Sequence, residues 1–191
     1  MSTNSVVAYL NEDGSVVSSY VHYDGYETGV GMMLLEHYNT DKCARDLAST
    51  LGYASSLSET VAESHADRVH TDEPETFESM EEFELYLMEN SHLEFGYLWT
   101  GGKWMVASWT TTVEGTGPYA EYNSTWNGFH WLVTSFVREG RKTVDRFRDR
   151  ALEDNREGRT EYDEFADELE VTVDKWHRYG MGEIASEAMA A

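Results

Sequence analysis

The chain holds one cysteine and two prolines in 191 residues. The lone thiol, Cys43, excludes an intrachain disulfide. It falls in an amphipathic stretch with no basic cluster beside it, the setting of a small buried apolar residue rather than a reactive one. Basic side chains are scarce as well: 14 Lys and Arg stand against 36 Asp and Glu, a formal net charge of -22. A field of that sign repels phosphate backbones and anionic headgroups, so direct binding to a long nucleic acid or to a membrane surface is disfavoured. It attracts basic partners, DNA-binding proteins included, although acidity also serves plain solubility. No apolar run is long enough to span a bilayer, and the opening Met1-Ser-Thr-Asn-Ser5 carries neither the basic region nor the apolar segment of a leader. We therefore expect a reducing, cytoplasmic setting.

What is present is the composition of a folded body. Hydrophobic residues make up 40% and aromatics 13%, well above a disordered chain, and the length suits one substantial domain or a small domain with a subdomain. Val6 to Leu10 and Val16 to Tyr23 are β-branched and aromatic, with Asn11-Glu-Asp-Gly14 between them as a hairpin turn. If the second strand persists, His22 and Asp24 project from the same side of it. Gly25, Gly29 and Gly31 then lead into a helix from Met32 to Tyr38, and Thr40 caps a second helix through Leu51 with Gly52 as its stop. A short polar helix is expected between Ser58 and His70.

From Glu59 to Glu94 acid follows acid against a lone Arg68, and within this run Ser79 and Glu82 form a capping box for a helix with Met80, Phe83, Tyr86 and Leu87 on its apolar face. Phe95 to Val113 reads as a second hairpin closed by Gly101-Gly102, loaded with Trp99, Trp104 and Trp109. Glu114-Gly-Thr-Gly-Pro118 is the best boundary. Beyond it the spacing predicts three helices: one capped by Ser124 and ending near Gly140, one around Val144 to Leu152 ending by Gly158, and one opened by Thr160 and stopped by Gly180. Most basic residues cluster around the middle helix, which points to intramolecular complementarity or head-to-tail self-association. The expected fold is α+β: a small antiparallel sheet from two β-hairpins with helices packed on one face, over residues 1–113. A C-terminal helical subdomain, 119–182, packs on it, and 183–191 fray.

His22-Tyr-Asp-Gly-Tyr26, Gly29-Val-Gly31, Leu34-Leu-Glu-His-Tyr38, Ser55-Ser-Leu57 and Tyr97-Leu-Trp99 with Gly102-Lys-Trp104, in this order behind a short hairpin, carry a resemblance. The region from Met1 to Trp109 resembles a family of small, uncharacterised proteins of tailed bacteriophages and prophages, in which His-Trp-Asp-Gly-Tyr-Pro is common. This chain departs at Tyr23, a conservative aromatic change, and at Glu27, which removes a proline and its rigid turn. The resemblance implies a phage accessory gene and a host-cytoplasm setting, and no established activity. It does not cover the chain after Pro118.

The residues themselves offer several chemistries. His22, Asp24 and His37 are the one cluster with metal-ligand types at workable spacing, and would serve a metal-dependent enzyme; a turn network of His22 and Asp24 that orients Gly25, with His37 a partly buried helix residue, explains them better. Gly25, Gly29 and Gly31 before a helix, with Tyr20, Tyr23 and Tyr26 to stack a base, outline a nucleotide-like ligand site, but the spacing matches neither phosphate-binding fingerprint and no lysine follows. The acidic run could imitate the phosphates of DNA, and a solvated helix face accounts for it too. The favoured reading is a non-enzymatic accessory protein that binds a host protein, using no cofactor, with His22, Tyr23, Asp24, Gly25, Tyr26, Gly29, Gly31 and His37 as the candidate ligand-binding residues.

Overall fold

The computed structural model of the chain describes residues 2–66, 72–114, 121–153 and 161–182. Strands β1 (Ser5–Leu10) and β2 (Val16–Val21) pair antiparallel around a loop in which Gly14 takes φ 90°. The chain then crosses over through a π-helical turn (Glu27–Gly31), α1 (Met32–His37), α2 (Asp41–Thr50), the two-residue β3 (Tyr53–Ala54), α3 (Val61–Ala66), β4 (Glu75–Phe77) and α4 (Met80–Glu89). It returns as the hairpin β5 (Phe95–Thr100) and β6 (Lys103–Glu114), continues as β7 (Glu121–Trp131), and ends in α5 (Leu132–Glu153) and α6 (Glu161–Gly180).

Local chemistry places many of these elements where the sequence puts them. The Thr40 hydroxyl accepts from the Cys43 amide at 3.3 Å to cap α2, and Gly52 beyond its end takes φ 65°. Ser79 accepts from the Glu82 amide at 3.2 Å, while the Glu82 carboxylate reaches back to the Glu78 amide at 2.7 Å, one residue earlier than a standard capping box. Gly101 and Gly102, at φ 57° and 77°, supply the doubly left-handed turn that sets Trp99 opposite Trp104, ring centroids 5.4 Å apart.

The sheet differs from the antiparallel one expected. It is mixed, seven strands in the order β3-β2-β1-β5-β6-β7 with β4 also on β2, because β1 runs parallel to β5 from Ser5–Phe95 to Tyr9–Trp99. β1 is thus a central strand. Its unbroken Val6-Val-Ala-Tyr9 run fits that place, since both of its faces are buried. Nor do the helices lie on one face. Val7, Tyr9, Tyr97, Trp99 and Trp104 pack with α1, α2, α5 and α6, whereas Val6, Ala8, Val16 and Leu98 pack with Phe83 and Leu87 of α4.

The helix expected from Ser124 is instead strand β7, paired along β6. Trp126 and Phe129 suit helical spacing, but the segment is rich in aromatic residues of high β propensity and the long β6 offers it a ladder. Helix α5 starts only at Leu132 and runs through Gly140 without stopping. A Cβ on Gly140 would come 2.4 Å from Val173 Cγ2, so this glycine lets α5 and α6 approach each other. Phe136, Val144, Leu169, Val173 and Trp176 of these helices belong to the same core as the sheet's Val7 and Trp104. The stops and caps expected at Gly158 and Thr160, and the tail 183–191, lie outside the described residues. Among the described residues no helix is long and apolar enough to cross a membrane.

Candidate functional site

The turn after β2 is built by close backbone contacts. Asp24, at φ 58°, is the one described non-glycine residue with positive φ, and it swings the chain off the strand. The Gly25 amide donates to Thr3 O and its carbonyl accepts from the buried Tyr97 hydroxyl, both at 2.8 Å. The Val30 amide donates to Asp24 O at 2.8 Å, and a Cβ on Gly29 would lie 2.2 Å from that same oxygen. Gly31 sits against Leu132 and Tyr97. The three glycines therefore serve approach of backbone to backbone and of turn to core. Glu27 is buried in the turn and accepts from the Ser135 hydroxyl at 3.1 Å, tying the turn to α5.

Because β2 ends at Val21 and Asp24 turns, His22 and Asp24 do not share a strand face. Asp24 accepts from Tyr26 Oη at 3.1 Å, and His22 Nδ1 pairs with Tyr20 Oη at 3.1 Å. His37 is exposed at the end of α1. Among the described residues no group of three His, Cys, Asp or Glu converges as a metal site, so the set His22, Asp24 and His37 is not assembled.

His22 does open onto a cleft. It has a volume near 440 Å³ and lies where β3 and β4 share the outer edge of β2. Tyr20 stacks on Tyr53 at 5.3 Å, His22 lies parallel to Tyr53 at 6.4 Å, and Tyr23 meets the His22 ring edge-on at 4.3 Å. Tyr86 of α4 closes the opposite wall, and Asp72, Glu73 and Glu75 stand on the rim, all exposed. Burial raises the phenol pKa of Tyr20, Tyr53 and Tyr86, with Tyr53 adding to the shift of Tyr20, Tyr23 and Asp72 to that of Tyr53, and Glu75 to that of Tyr86. All three phenols stay neutral donors at physiological pH, and the rim carboxylates carry the charge. Neutral ring faces beside carboxylates attract a cation.

The candidate residues divide accordingly. Of those singled out in the sequence, Tyr20 and His22 line this cleft, Tyr23 buttresses it, and Gly25, Gly29 and Gly31 are packing positions. Tyr26 borders a second cleft, between the π-helical turn and helices α5 and α6. Tyr53 and the place of Glu75 and Tyr86 at this cleft are not indicated by the sequence, which offers Tyr86 only as part of the apolar face of α4, since nothing local shows that a two-residue strand after Gly52 pairs parallel with β2. The fold is a mixed α/β one that carries an acidic, aromatic-lined cleft at the outer edge of β2. Comparison of the chain with protein-family models, curated proteins and solved structures gives no match.

Proposed function

We propose that this protein acts by binding rather than by catalysis, and that the cleft beside His22 receives a lysine or arginine side chain of a partner protein. The observation that carries this reading is the convergence of Tyr20, His22, Tyr53 and Tyr86 with three rim carboxylates. A desolvated cation over such rings gains roughly 2 kcal/mol, and the carboxylates add charge-assisted hydrogen bonds. The net charge of -22 supports it by steering a basic partner to the surface. The resemblance of residues 1–109 supplies the setting: an accessory protein of a tailed phage, working on a basic host protein in the host cytoplasm.

The test is calorimetric titration with short Lys- and Arg-rich peptides against the wild type, Tyr53→Ala and the double variant Glu73→Gln/Glu75→Gln. Saturable binding that weakens about tenfold or more in both variants is expected, from the loss of about 1.5 kcal/mol or more of cation recognition. Equal affinity in all three proteins would discard the cleft as the binding site.

A further inference from the structure

The second cleft, with a volume near 640 Å³, is of the size that encloses a small organic ligand. One wall is the π-helical turn with Tyr26; the other is α5, where Arg146 and Arg150, four residues apart, present their guanidinium groups on one helix face. Arg146 donates to Thr143 Oγ1 at 2.8 Å, and among the described residues neither arginine forms an ion pair. This contrasts with Arg148 on the same helix, which Asp167 and Glu170 of α6 engage.

The carboxylates of the wall are largely committed. Glu139 is held by Arg138 and Lys142, at 2.8 and 2.9 Å, and although burial works to raise its pKa those two partners bring it below the usual value. Glu27 accepts from Ser135. Counted with Arg138 and Lys142, which neutralise Glu139, four cations of α5 stand here against the three carboxylates Glu27, Glu139 and Asp149, a local balance unlike that of the strongly acidic chain. Between the charges lie ring faces. Phe147 packs on Phe165 at 4.7 Å, yet Phe165 stays 45% exposed and Tyr26 40% exposed, both bordering the cleft.

From this arrangement we infer that the cleft between the π-helical turn and α5 binds a nucleoside monophosphate. The phosphate sits on Arg146 and Arg150, whose planar forks match its oxygens, and the base lies against Tyr26 and Phe165. The site is separate from the acidic cleft and does not depend on it.

The experiment is calorimetric titration of the full chain with AMP, GMP, CMP and UMP, with adenosine and inorganic phosphate as component arms. At least one monophosphate binds saturably, and more tightly than adenosine or phosphate alone. Arg146→Gln/Arg150→Gln weakens it by about ten- to a hundredfold, as loss of charged hydrogen bonds does. Phe165→Ala weakens the nucleotide while leaving free phosphate unchanged, and Glu73→Gln/Glu75→Gln leaves both unchanged. All these side chains are exposed, and unaltered melting of the unliganded variants shows that they fold. Absence of saturable binding by all four monophosphates, or equal binding by the arginine variant, overturns the inference.

Discussion

At Gly29 a Cβ would meet the Asp24 carbonyl oxygen at 2.2 Å, and the clash is with backbone that already accepts the Val30 amide. Gly29→Ala must therefore push the turn off α5 or break that bond, and we expect a loss of about 2–3 kcal/mol in urea-unfolding stability. Gly128, in strand β7 with nothing within 4 Å of its Cβ position, is the control. Gly128→Ala should be neutral or stabilise by up to about 1 kcal/mol, because it removes freedom only from the unfolded chain. Equal losses at both positions would mean that the turn yields more easily than its contacts indicate. The aromatic residues around this turn act in the same register: Tyr97 reaches the Gly25 carbonyl at 2.8 Å and Trp104 Nε1 the Tyr38 carbonyl at 3.1 Å, so sheet side chains fix loop backbone that would otherwise be buried without partners.

Among the elements, α5 and α6 approach each other closely at Gly140 against Val173, beside the Phe147–Phe165 and Arg148–Glu170 contacts of the same pair. Gly140→Ala gains helix propensity of about 1 kcal/mol but overpacks a core position by about 1–3 kcal/mol, for a net loss. In a Val173→Ala background the same substitution loses its obstacle and should become neutral or favourable, a coupling that a double-mutant cycle in urea would read directly. Additive effects would show that the helices do not meet there. This contact also marks the limit of what the sequence reveals. Caps at Thr40 and Ser79 and the turn at Gly101-Gly102 were legible because each depends on neighbours within a few residues. Gly140 read as a stop, and Trp126 and Phe129 as a helix face, because the reasons for their actual roles, Val173 and strand β6, lie far along the chain. The same applies to the acidic cleft: His22 was visible, but Tyr53 and Tyr86 reach it only through the pairing of β2 with β3 and the packing of α4.

For the molecule as a whole, self-repulsion at a net charge of -22 opposes folding while the same field favours a basic partner. Raising salt from about 0.05 to about 0.5 M shortens the screening length from roughly 14 to roughly 4 Å. The melting temperature should rise by a few degrees over that range, while affinity for a basic peptide falls. A melting temperature that drops with salt would point to surface ion pairs such as Arg148–Glu170 outweighing the repulsion. The parallel pairing of β1 with β5 has a consequence of another kind. Ser5 finds its partner at Phe95, so the centre of the sheet cannot close until about half the chain has left the ribosome. Until then the first hairpin carries the apolar Val6-Val-Ala-Tyr9 strand with one edge bare. Synthesis at about 5–20 residues per second leaves that edge waiting for several seconds, an interval in which the nascent chain depends on chaperones or on dilution to avoid pairing with its neighbours.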